Sequence, residues 1–398
     1  MDLVIKPGKL SGTISAIPSK SQAHRYLICA AFSDGPTEII CRQTNRDIEA
    51  TRQCLCALGA DITRTETGYI VSPINKLPES AVLPCDESGS TLRFLLPIVG
   101  AMGVKATFKL SGRLAQRPLS PLWEEMERMG CQLSRPSENT VLCCGRLKPG
   151  HYTIDGGVSS QYITGLLFSL SLLDGISYLK ITGNIESAPY IQITTDALKT
   201  FGVDVTGKEI RGMYPYQTPG MVYVEGDWSN AAFFLAANTI GSSINITGLN
   251  RESSQGDKAV LTALERLECN AKISAKDIPD LIPILAVTAA AKQGAVFTHI
   301  ERLRLKESDR AATVCAMLKN LGITAAENQS EIVVIPGTLT GGIVDSANDH
   351  RIAMAAAIAA TVAEKPVIIK NADCVSKSYP EFWNDYRILG GQYEQYLW

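Results

Sequence analysis

The chain has 398 residues, of which 45% are apolar and 20% are charged. This length exceeds the size at which one hydrophobic core keeps growing, so we expect two domains. The 38 Lys and Arg residues are balanced by 40 Asp and Glu residues, without the broad basic excess of a nucleic-acid-binding protein. No leader peptide is recognisable and no apolar run reaches the roughly 18 residues of a membrane span, so we expect a cytoplasmic protein.

The eleven cysteines are an odd number, spread along the chain and mostly inside apolar segments. We interpret them as small buried hydrophobic residues of a protein in a reducing compartment, not as disulfides. The closest pairs, Cys54 with Cys56 and Cys143 with Cys144, lack the spacing and the neighbouring His of a structural zinc site. The sequence therefore predicts no metal site.

A helix followed by a short strand recurs six times along the chain. Each copy has an apolar stripe, and five copies have a Gly where a left-handed C-cap would end the helix. Six copies predict two domains of three units each. The copies span residues 51–66, 121–136, 194–209, 261–276, 313–328 and 381–396.

Helices of a second kind lie between these copies. The segments 162–173 and 352–363 have almost no polar face, so they are expected to be enclosed within a domain. With the intervening strands, each unit reads as βαβαββ, which predicts an α/β fold. The clearest of these strands are residues 152–156, 222–227, 296–300 and 331–337.

Positive charge recurs where helices are expected to start. Unpaired N–H groups give a helix start a partial positive charge, so acidic residues stabilise it and cations are unfavourable there. Repeated violations of a local rule indicate a functional site, and these predict a cleft that binds phosphate and carboxylate groups. The five stretches are PSKSQAHR (18–25), DESGSTLR (86–93), KESDR (306–310), NDHR (348–351) and SKSYPEF (376–382).

The GxxxxGK match from Gly202 to Lys208 is not interpreted as a phosphate-binding loop. Glu209 stands in place of the Ser or Thr that would bind magnesium. The segment also runs from a helix into a strand, whereas a phosphate-binding loop runs from a strand into a helix.

Taken together, the motifs resemble the 5-enolpyruvylshikimate-3-phosphate synthase family of enolpyruvyl transferases. PSKSQAHR, ESGSTLR, AQRPL, GGVSSQY, SAPYI, KESDR, NDHR and SKSYPEF occur in the family's order over nearly the whole chain. The resemblance implies a two-domain inside-out α/β barrel, in which each domain has three βαβαββ repeats around buried helices. It implies domains of residues 1–18 plus 227–398 and of residues 19–226, with the active site in the cleft between them.

The resemblance also implies two small-molecule substrates, shikimate 3-phosphate and phosphoenolpyruvate, and no cofactor. Arg suits such ligands because its planar fork binds a carboxylate or phosphate through two parallel hydrogen bonds. The residues implied for shikimate 3-phosphate are Lys20, Ser21, Arg25, Ser159, Ser160, Gln161, Ser187, Asp280 and Lys306. Those implied for phosphoenolpyruvate are Lys20, Gly89, Arg117, Gln161, Arg310, Arg351 and Lys377.

The implied reaction adds the 5-hydroxyl of shikimate 3-phosphate to C2 of phosphoenolpyruvate and then eliminates phosphate. Both steps need a general acid and a general base. Glu307 is the candidate for the proton on carbon and Asp280 for the hydroxyl proton, with Lys20 polarising the reacting oxygens. His350, between Asp349 and Arg351, is a further catalytic candidate.

Several of these residues also have ordinary interpretations. Ser159 and Ser160 are suited to cap the following helix, and Asp280 precedes an apolar segment and is suited to an N-cap. Glu307 is suited to a first-turn acid. His350 alone would more often be a structural histidine, and Arg117 or Lys377 alone would be ordinary solvated side chains.

Three positions depart from the pattern common in the family. Glu87 stands where many members have Asn, Ser90 replaces a Thr, and Arg302 stands where Asn is common. These departures leave open the shape of the phosphoenolpyruvate pocket and the affinity for glyphosate, the inhibitor that targets this family.

Three other functions were considered. An enolpyruvyl transferase acting on UDP-N-acetylglucosamine usually has Lys-Asn at the first motif and a Cys before the Arg-Pro, whereas this chain has Lys20-Ser21 and no such Cys. An inactive binding protein would be expected to lose residues such as Asp280 or Lys377, which are present. An RNA terminal phosphate cyclase is disfavoured by the charge balance. We therefore expect an enzyme that is a monomer, with no nucleic-acid or membrane partner.

Overall fold

A computed structural model describes residues 1–207, 209–212 and 214–396. The chain forms two compact units. The split unit comprises residues 1–17 and 226–398, and the continuous unit comprises residues 18–225. The two expected domain boundaries, after residues 18 and 226, each lie one residue later in the sequence. Each unit has its own hydrophobic core. Among the described residues, no helix is long and apolar enough to cross a membrane.

The strands and helices are numbered in chain order. The strands are β1 (Leu3–Ile5), β2 (Ser11–Ser15), β3 (Thr37–Ile40), β4 (Asp61–Arg64), β5 (Gly68–Ser72), β6 (Ser80–Asp86), β7 (Lys105–Leu110), β8 (Cys131–Ser137), β9 (Thr140–Gly145), β10 (His151–Asp155), β11 (Ile176–Thr182), β12 (Glu209–Arg211), β13 (Met221–Tyr223), β14 (Ser243–Thr247), β15 (Ala271–Ser274), β16 (Ala295–Thr298), β17 (Ala325–Glu327), β18 (Glu331–Val334), β19 (Gly342–Asp345), β20 (Val367–Lys370) and β21 (Tyr393–Gln395). The α-helices are α1 (Lys20–Ala31), α2 (Arg46–Ala57), α3 (Gly89–Met102), α4 (Leu122–Arg128), α5 (Ser160–Leu172), α6 (Ala188–Thr200), α7 (Trp228–Thr239), α8 (Val260–Arg266), α9 (Ile282–Ala291), α10 (Arg310–Asn320), α11 (His350–Ala360) and α12 (Phe382–Ile388). Short 3-10 helices span Gly112–Gln116, Gly256–Ala259, Glu301–Leu305 and Ala372–Lys377.

The repeating βαβαββ unit is seen completely in β6-α3-β7-α4-β8-β9. Its strands form one sheet in the order β6-β7-β9-β8. The first pair is parallel and the other two pairs are antiparallel. The same order and pairing occur in β15-β16-β18-β17. The predicted α/β repeat is therefore confirmed.

Two further complete sheets take one strand from a distant part of the chain. In the continuous unit, β13 pairs with β3 and takes the place of the first strand of the repeat that contains α1. In sequence, however, β13 is the last strand of this unit. In the split unit, the N-terminal β1 pairs with β20 and β21 and completes the final repeat. These pairings join the beginning and the end of each unit's chain in one sheet.

Two repeats are shorter than predicted. The sheet β10-β11-β12 has three strands in the described part of the chain, and the strand expected after Gly202 is absent from residues 203–207. The sheet of β2 and β14 has two strands among the described residues. The strand predicted within 261–276 is β15, which pairs with β16 as the first strand of the next repeat. Lys208 of the rejected GxxxxGK match lies outside the described residues.

The two kinds of helix differ in burial as predicted. In α5 twelve of thirteen residues are buried, and in α11 all eleven are, whereas α2 buries one face. The helices with a terminal Gly end as expected, because Gly59, Gly130, Gly202, Gly322 and Gly390 have φ between +79° and +115°. Only a residue without a Cβ adopts that conformation at little cost.

Four of the five predicted basic helix starts are confirmed. Helix α1 begins at Lys20, α10 at Arg310 and α11 at His350, and α3 carries Arg93 in its second turn. The first turns of these helices, all within the described residues, contain no acid. The fifth prediction is wrong, since Lys377 lies in the last turn of a 3-10 helix and α12 begins later, at Phe382.

Candidate active site

The predicted site residues fall into two groups, one in each unit, and both gather at helix starts. Those of the continuous unit lie at or near the starts of α1, α3, α5 and α6. Those of the split unit lie near the starts of α9, α10 and α11, with Lys377 at the end of a 3-10 helix.

Lys20 is the first residue of α1, and its ammonium group lies 2.8 Å from Oδ2 of Asp47 on α2. One turn further along both helices, His24 Nδ1 lies 2.7 Å from Oγ1 of Thr51. Thr51 in turn lies 2.6 Å from Oγ1 of Thr91 on α3. Burial, followed by the charges of Lys20 and Arg25, lowers the pKa of His24 well below its usual range. A neutral, buried layer therefore holds three helices together beneath Lys20.

Arg25 is a buried cation that is bonded to neutral groups. It donates to the Ser21 carbonyl at 2.6 Å, to Thr194 at 2.8 Å and to the Tyr190 carbonyl at 2.8 Å, with a longer bond of 3.4 Å to Thr164. Burial lowers the pKa of Arg25 to about 9, so it is charged at pH 7. The guanidinium group has five N–H donors, so one remains for a ligand. No ion pair to it occurs among the described residues.

Gly89 begins α3 where two guanidinium groups approach the backbone. A Cβ at this position would lie 2.7 Å from Arg93 Nη1 and 2.8 Å from Arg117 Nη1. Arg93 donates to Gln161 Oε1 at 2.9 Å, and Gln161 Nε2 donates to Ser90 at 3.0 Å. The start of α3 therefore carries two cations, a bridging amide and no side chain at Gly89, which suits close approach of an anion.

Arg117 follows the 3-10 helix Gly112–Gln116 and is half-buried. Its Nε is buried, and within the described ranges its guanidinium group has no hydrogen-bond or ion-pair partner. The half-buried guanidinium group of Arg117 is thus available to an anion at the start of α3.

The three predicted serines differ from one another. Ser159 caps α5, since its Oγ accepts a 3.3 Å bond from the Gln161 N–H; this is the ordinary interpretation. Ser160 is buried in the first turn. Ser187 has the left-handed backbone conformation, φ 54° and ψ 42°, and its side chain does not cap α6. Such a conformation in a residue with a side chain is strained and is often retained at a functional site.

In the split unit, three cationic side chains contact Asp280. Its Oδ1 lies 2.7 Å from Arg310 and 3.2 Å from Lys306, and its Oδ2 lies 3.1 Å from Arg351. Burial alone would raise the pKa of Asp280, but Arg351, Lys306 and Arg310 lower it well below its usual range. The capping interpretation is wrong, because Leu281 is the N-cap of α9 and no side chain caps that helix.

Arg310 has no exposed side-chain surface and is bound by three carboxylates. Besides Asp280, its Nη2 lies 2.6 Å from Glu307 and its Nε lies 3.0 Å from Asp349. Burial lowers the pKa of Arg310, but the three carboxylates raise it overall. Glu307 precedes α10 by three residues, so the first-turn interpretation is also wrong. The two candidate acid–base groups, Asp280 and Glu307, share one cation.

The remaining split-unit residues surround the start of α11. His350 is buried in the first turn, after the N-cap Asp349. Lys377 is buried and donates to the Asn348 carbonyl at 2.9 Å, so it is not a solvated side chain. Asn348 and the preceding Ala347 both have positive φ, a strained loop of the kind found at ligand sites.

Four residues of these clusters were not among the predicted site residues. Arg93 lies in the motif DESGSTLR and Asp349 in the motif NDHR. Both could have been chosen as site residues because they are charged residues within those motifs. Asp47 could not be found from sequence, because its pairing with Lys20 depends on the packing of α1 and α2. Asp257 could not be found from sequence either, because what distinguishes it is its burial. That burial, followed by the charge of Asp280, raises the pKa of Asp257 to about 6.

The three departures from the family pattern have local explanations. A Cβ at Gly112 would lie 2.7 Å from the Glu87 carboxyl carbon, so Glu87 packs over that glycine. Ser90 supplies the acceptor for Gln161. Arg302 lies close enough to contribute to lowering the pKa of Lys306, which burial chiefly brings to about 8.

Known proteins resemble this chain over most of its length. Residues 4–386 match the sequence model of EPSP synthase (3-phosphoshikimate 1-carboxyvinyltransferase). The chain is 39% identical to a 3-phosphoshikimate 1-carboxyvinyltransferase of Clostridium beijerinckii, with 99% of each covered. It is 40% identical to one of Clostridium perfringens, with 98% of each covered. An EPSP synthase of Acinetobacter baumannii has the same fold, with a TM-score of 0.80, 21% identity, and 99% of this chain and 100% of that chain covered.

Proposed function

Because this chain belongs to the EPSP synthase family, we propose that it transfers the carboxyvinyl group of phosphoenolpyruvate to the 5-hydroxyl of shikimate 3-phosphate, releasing phosphate. The observation that carries this proposal is the family match over residues 4–386, with relatives about 40% identical over nearly the whole chain. The reaction belongs to the shikimate pathway, which leads to chorismate and the aromatic amino acids.

The continuous unit is proposed to bind most of shikimate 3-phosphate. Arg25, which has neutral partners and a free donor, binds the ring carboxylate together with Ser21. The starts of α5 and α6 present N–H groups and serine hydroxyls to the 3-phosphate, because an unpaired helix start attracts an anion. The residues assigned to the phosphate are Ser159, Ser160 and Ser187, and Gln161 lies against the ring.

Phosphoenolpyruvate is proposed to be bound by cations of both groups. In the continuous unit, Lys20 and Arg117 neutralise the ligand and Gly89 leaves room for it beside α3. In the split unit, Arg310, Arg351 and Lys377 do the same. Two highly charged anions repel each other unless fixed positive groups offset that repulsion, which explains cations at helix starts.

The chemistry is proposed to use carboxyl groups as acid and base. Asp280, with Lys306 beside the reacting hydroxyl, takes the hydroxyl proton. Glu307 gives a proton to the methylene carbon during addition and takes it back during elimination, so one group acts as acid and then as base. Lys20 polarises the reacting oxygens. His350 lies next to Arg351 in the first turn of α11.

The deciding experiment measures phosphate release from phosphoenolpyruvate in three parallel reactions, with shikimate 3-phosphate, with UDP-N-acetylglucosamine and with neither. Release only with shikimate 3-phosphate supports the proposal. Release with the UDP-sugar would assign the chain to the other enolpyruvyl transferases, and no release in any reaction would favour an inactive binding protein.

Cytoplasmic location and a monomeric state are also part of the proposal. Sedimentation velocity at several protein concentrations tests the second point: one species of about the 42.9 kDa chain mass is expected, whereas a concentration-dependent larger species would contradict it.

A further inference from the structure

Three cations of the split unit already contact carboxyl groups of the protein itself. Arg310, Arg351 and Lys306 lie within hydrogen-bonding distance of the carboxyl groups of three acidic residues, Asp280, Glu307 and Asp349. An anionic ligand that binds these cations must therefore compete with a carboxylate that is already in place.

Burial indicates which carboxylate can be exchanged. Asp349 and Arg310 have no exposed side-chain surface, and Asp349 also caps α11 through the Arg351 N–H at 3.0 Å. Asp280 and Lys306 are 17% and 18% exposed; Glu307 is 27% exposed but contacts only Arg310 among these cations. The Asp349–Arg310 pair is thus a permanent internal contact. Asp280 is partly exposed where it meets Lys306, so a ligand reaches it from that side, with Arg351, 5% exposed, behind it.

The position of Asp280 matches that of a bound anion. Its two oxygens bridge cations at the starts of two different helices, α10 and α11. Arg351 Nη1 additionally donates to the Asp280 backbone carbonyl at 3.2 Å. A carboxylate at positively charged helix ends between cationic side chains occupies the environment that a phosphate or carboxylate ligand prefers.

We propose that Asp280 is a built-in substitute for the substrate anion, and that a phosphate or carboxylate of the substrate displaces it from Arg351 and Lys306. The identity of that substrate rests on the proposed function, but the displacement itself concerns only the split unit. The same event prepares Asp280 for proton transfer. Asp280 loses its contacts with the positive charges of Arg351 and Lys306, and the negatively charged ligand lies near it. Both changes raise the pKa of Asp280 toward its ordinary value. The base becomes effective only when its substrate is bound.

The first test measures the affinity for inorganic phosphate and for phosphoenolpyruvate, without shikimate 3-phosphate, by isothermal titration calorimetry. Asp280→Asn removes the competing charge, so we expect about tenfold tighter binding, although turnover is lost. Glu307→Gln, which frees only one contact of Arg310, should give a smaller gain. The matched control Glu331→Gln, from the surface pair with Lys272, should leave the affinity unchanged. Equal or weaker binding by a folded Asp280→Asn protein would overturn the proposal.

The second test does not depend on a variant. The carboxyl carbons of Asp residues in the wild-type protein are labelled with ¹³C, and the Asp280 resonance is titrated with acid, with and without saturating phosphate. A midpoint at least about one pH unit higher with phosphate supports displacement, and an unchanged midpoint contradicts it. If the wild type binds phosphate in this way but releases none from phosphoenolpyruvate with shikimate 3-phosphate, the proposed function fails and this inference stands.

Discussion

The continuous and split units use the same kinds of residue at helix starts, but they treat positive charge differently. In the continuous unit the N-caps of α1, α3 and α5 are Ser19, Ser88 and Ser159, which are neutral. In the split unit the N-caps of α7, α10 and α11 are Asp227, Asp309 and Asp349, and Asp280 stands just before α9. Among the described residues, Arg25 and Arg117 of the continuous unit have no carboxylate partner, although Lys20 pairs with Asp47. In the split unit, Arg310 and Arg351 both pair with acidic side chains.

This difference separates binding from stability. A buried cation that is paired with carboxylates cannot be removed without leaving those charges uncompensated. A cation that lacks such partners can be removed at little structural cost, so its loss should affect only the ligand. The five predictions below test that contrast, from the largest expected effect to the smallest.

Each unit supplies one lysine whose loss should abolish turnover. Lys20→Met and Lys377→Met each remove an ammonium group that is proposed to bind the substrates, and we expect the rate to fall by at least about a hundredfold. Circular dichroism should show that both variants remain folded. Lys272→Met, at an exposed surface pair, is the control. A near wild-type rate for either variant would remove that lysine from the mechanism.

The two kinds of arginine should differ in their effect on unfolding. Arg310→Met removes the cation that contacts Glu307 and the fully buried Asp349, while Asp280 keeps Lys306 and Arg351. We therefore expect the free energy of unfolding to fall by about 3–5 kcal/mol. Arg117→Met removes a group with no partner in the described residues and should change it by no more than about 0.5 kcal/mol. Urea unfolding measures both. Similar losses for the two variants would contradict the proposed contrast between the units.

A methyl group at the start of α3 should weaken phosphoenolpyruvate binding. In Gly89→Ala the new Cβ would lie within 3 Å of Arg93 and Arg117, so both guanidinium groups must move. We expect the KM for phosphoenolpyruvate to rise about tenfold and glyphosate inhibition to weaken further. Gly8→Ala, where nothing lies within 4 Å of a new Cβ, is the matched control. Unchanged KM and inhibition would show that the ligand does not approach Gly89.

Binding of shikimate 3-phosphate should weaken above about pH 8. Burial chiefly, against the opposing charge of Asp280 and with smaller contributions from Arg310 and Arg302, lowers the pKa of Lys306 from 10.5 to about 8. Only the ammonium form attracts the anionic substrate, so KM should rise toward tenfold per pH unit above this value. The same shift makes the charged form costly to the fold, and that cost declines as pH rises from about 8 to about 10.4. Lys306→Arg should give a flatter KM profile; a wild-type KM independent of pH from 6.5 to 9.5 would refute the assignment.

Removing a buried acid of the split unit should stabilise the protein at alkaline pH. Burial and the charge of Asp280 raise the pKa of Asp257 to about 6. Its contribution to stability is therefore present below about pH 4 and lost as pH rises through about 6. We expect Asp257→Asn to raise Tm by about 2–4 °C at pH 8 and not at pH 4. Scanning calorimetry checks this, with the exposed Asp277→Asn as control; a lower Tm at pH 8 would contradict the sign.

The repeats show where sequence patterns were sufficient and where they were not. Glycine after five of the six second helices and apolar residues around α5 and α11 predicted the helices of the βαβαββ units, because local conformation and burial follow directly from residue type. The missing strand after Gly202 and the pairing of β15 with β16 were not predictable. Strand pairing depends on which distant segment is adjacent, and β1 and β13 are supplied from the far ends of their units.

The sequence by itself determined the family, the α/β repeats and the positions of most cations, since motifs and helix starts are local properties of the chain. Only the tertiary structure decided which cations have carboxylate partners: Lys20 has Asp47, Arg310 has three carboxylates, and Arg117 has none among the described residues. The reason is that electrostatic effects depend on distance and burial. Both are set by the packing of helices that lie far apart in sequence.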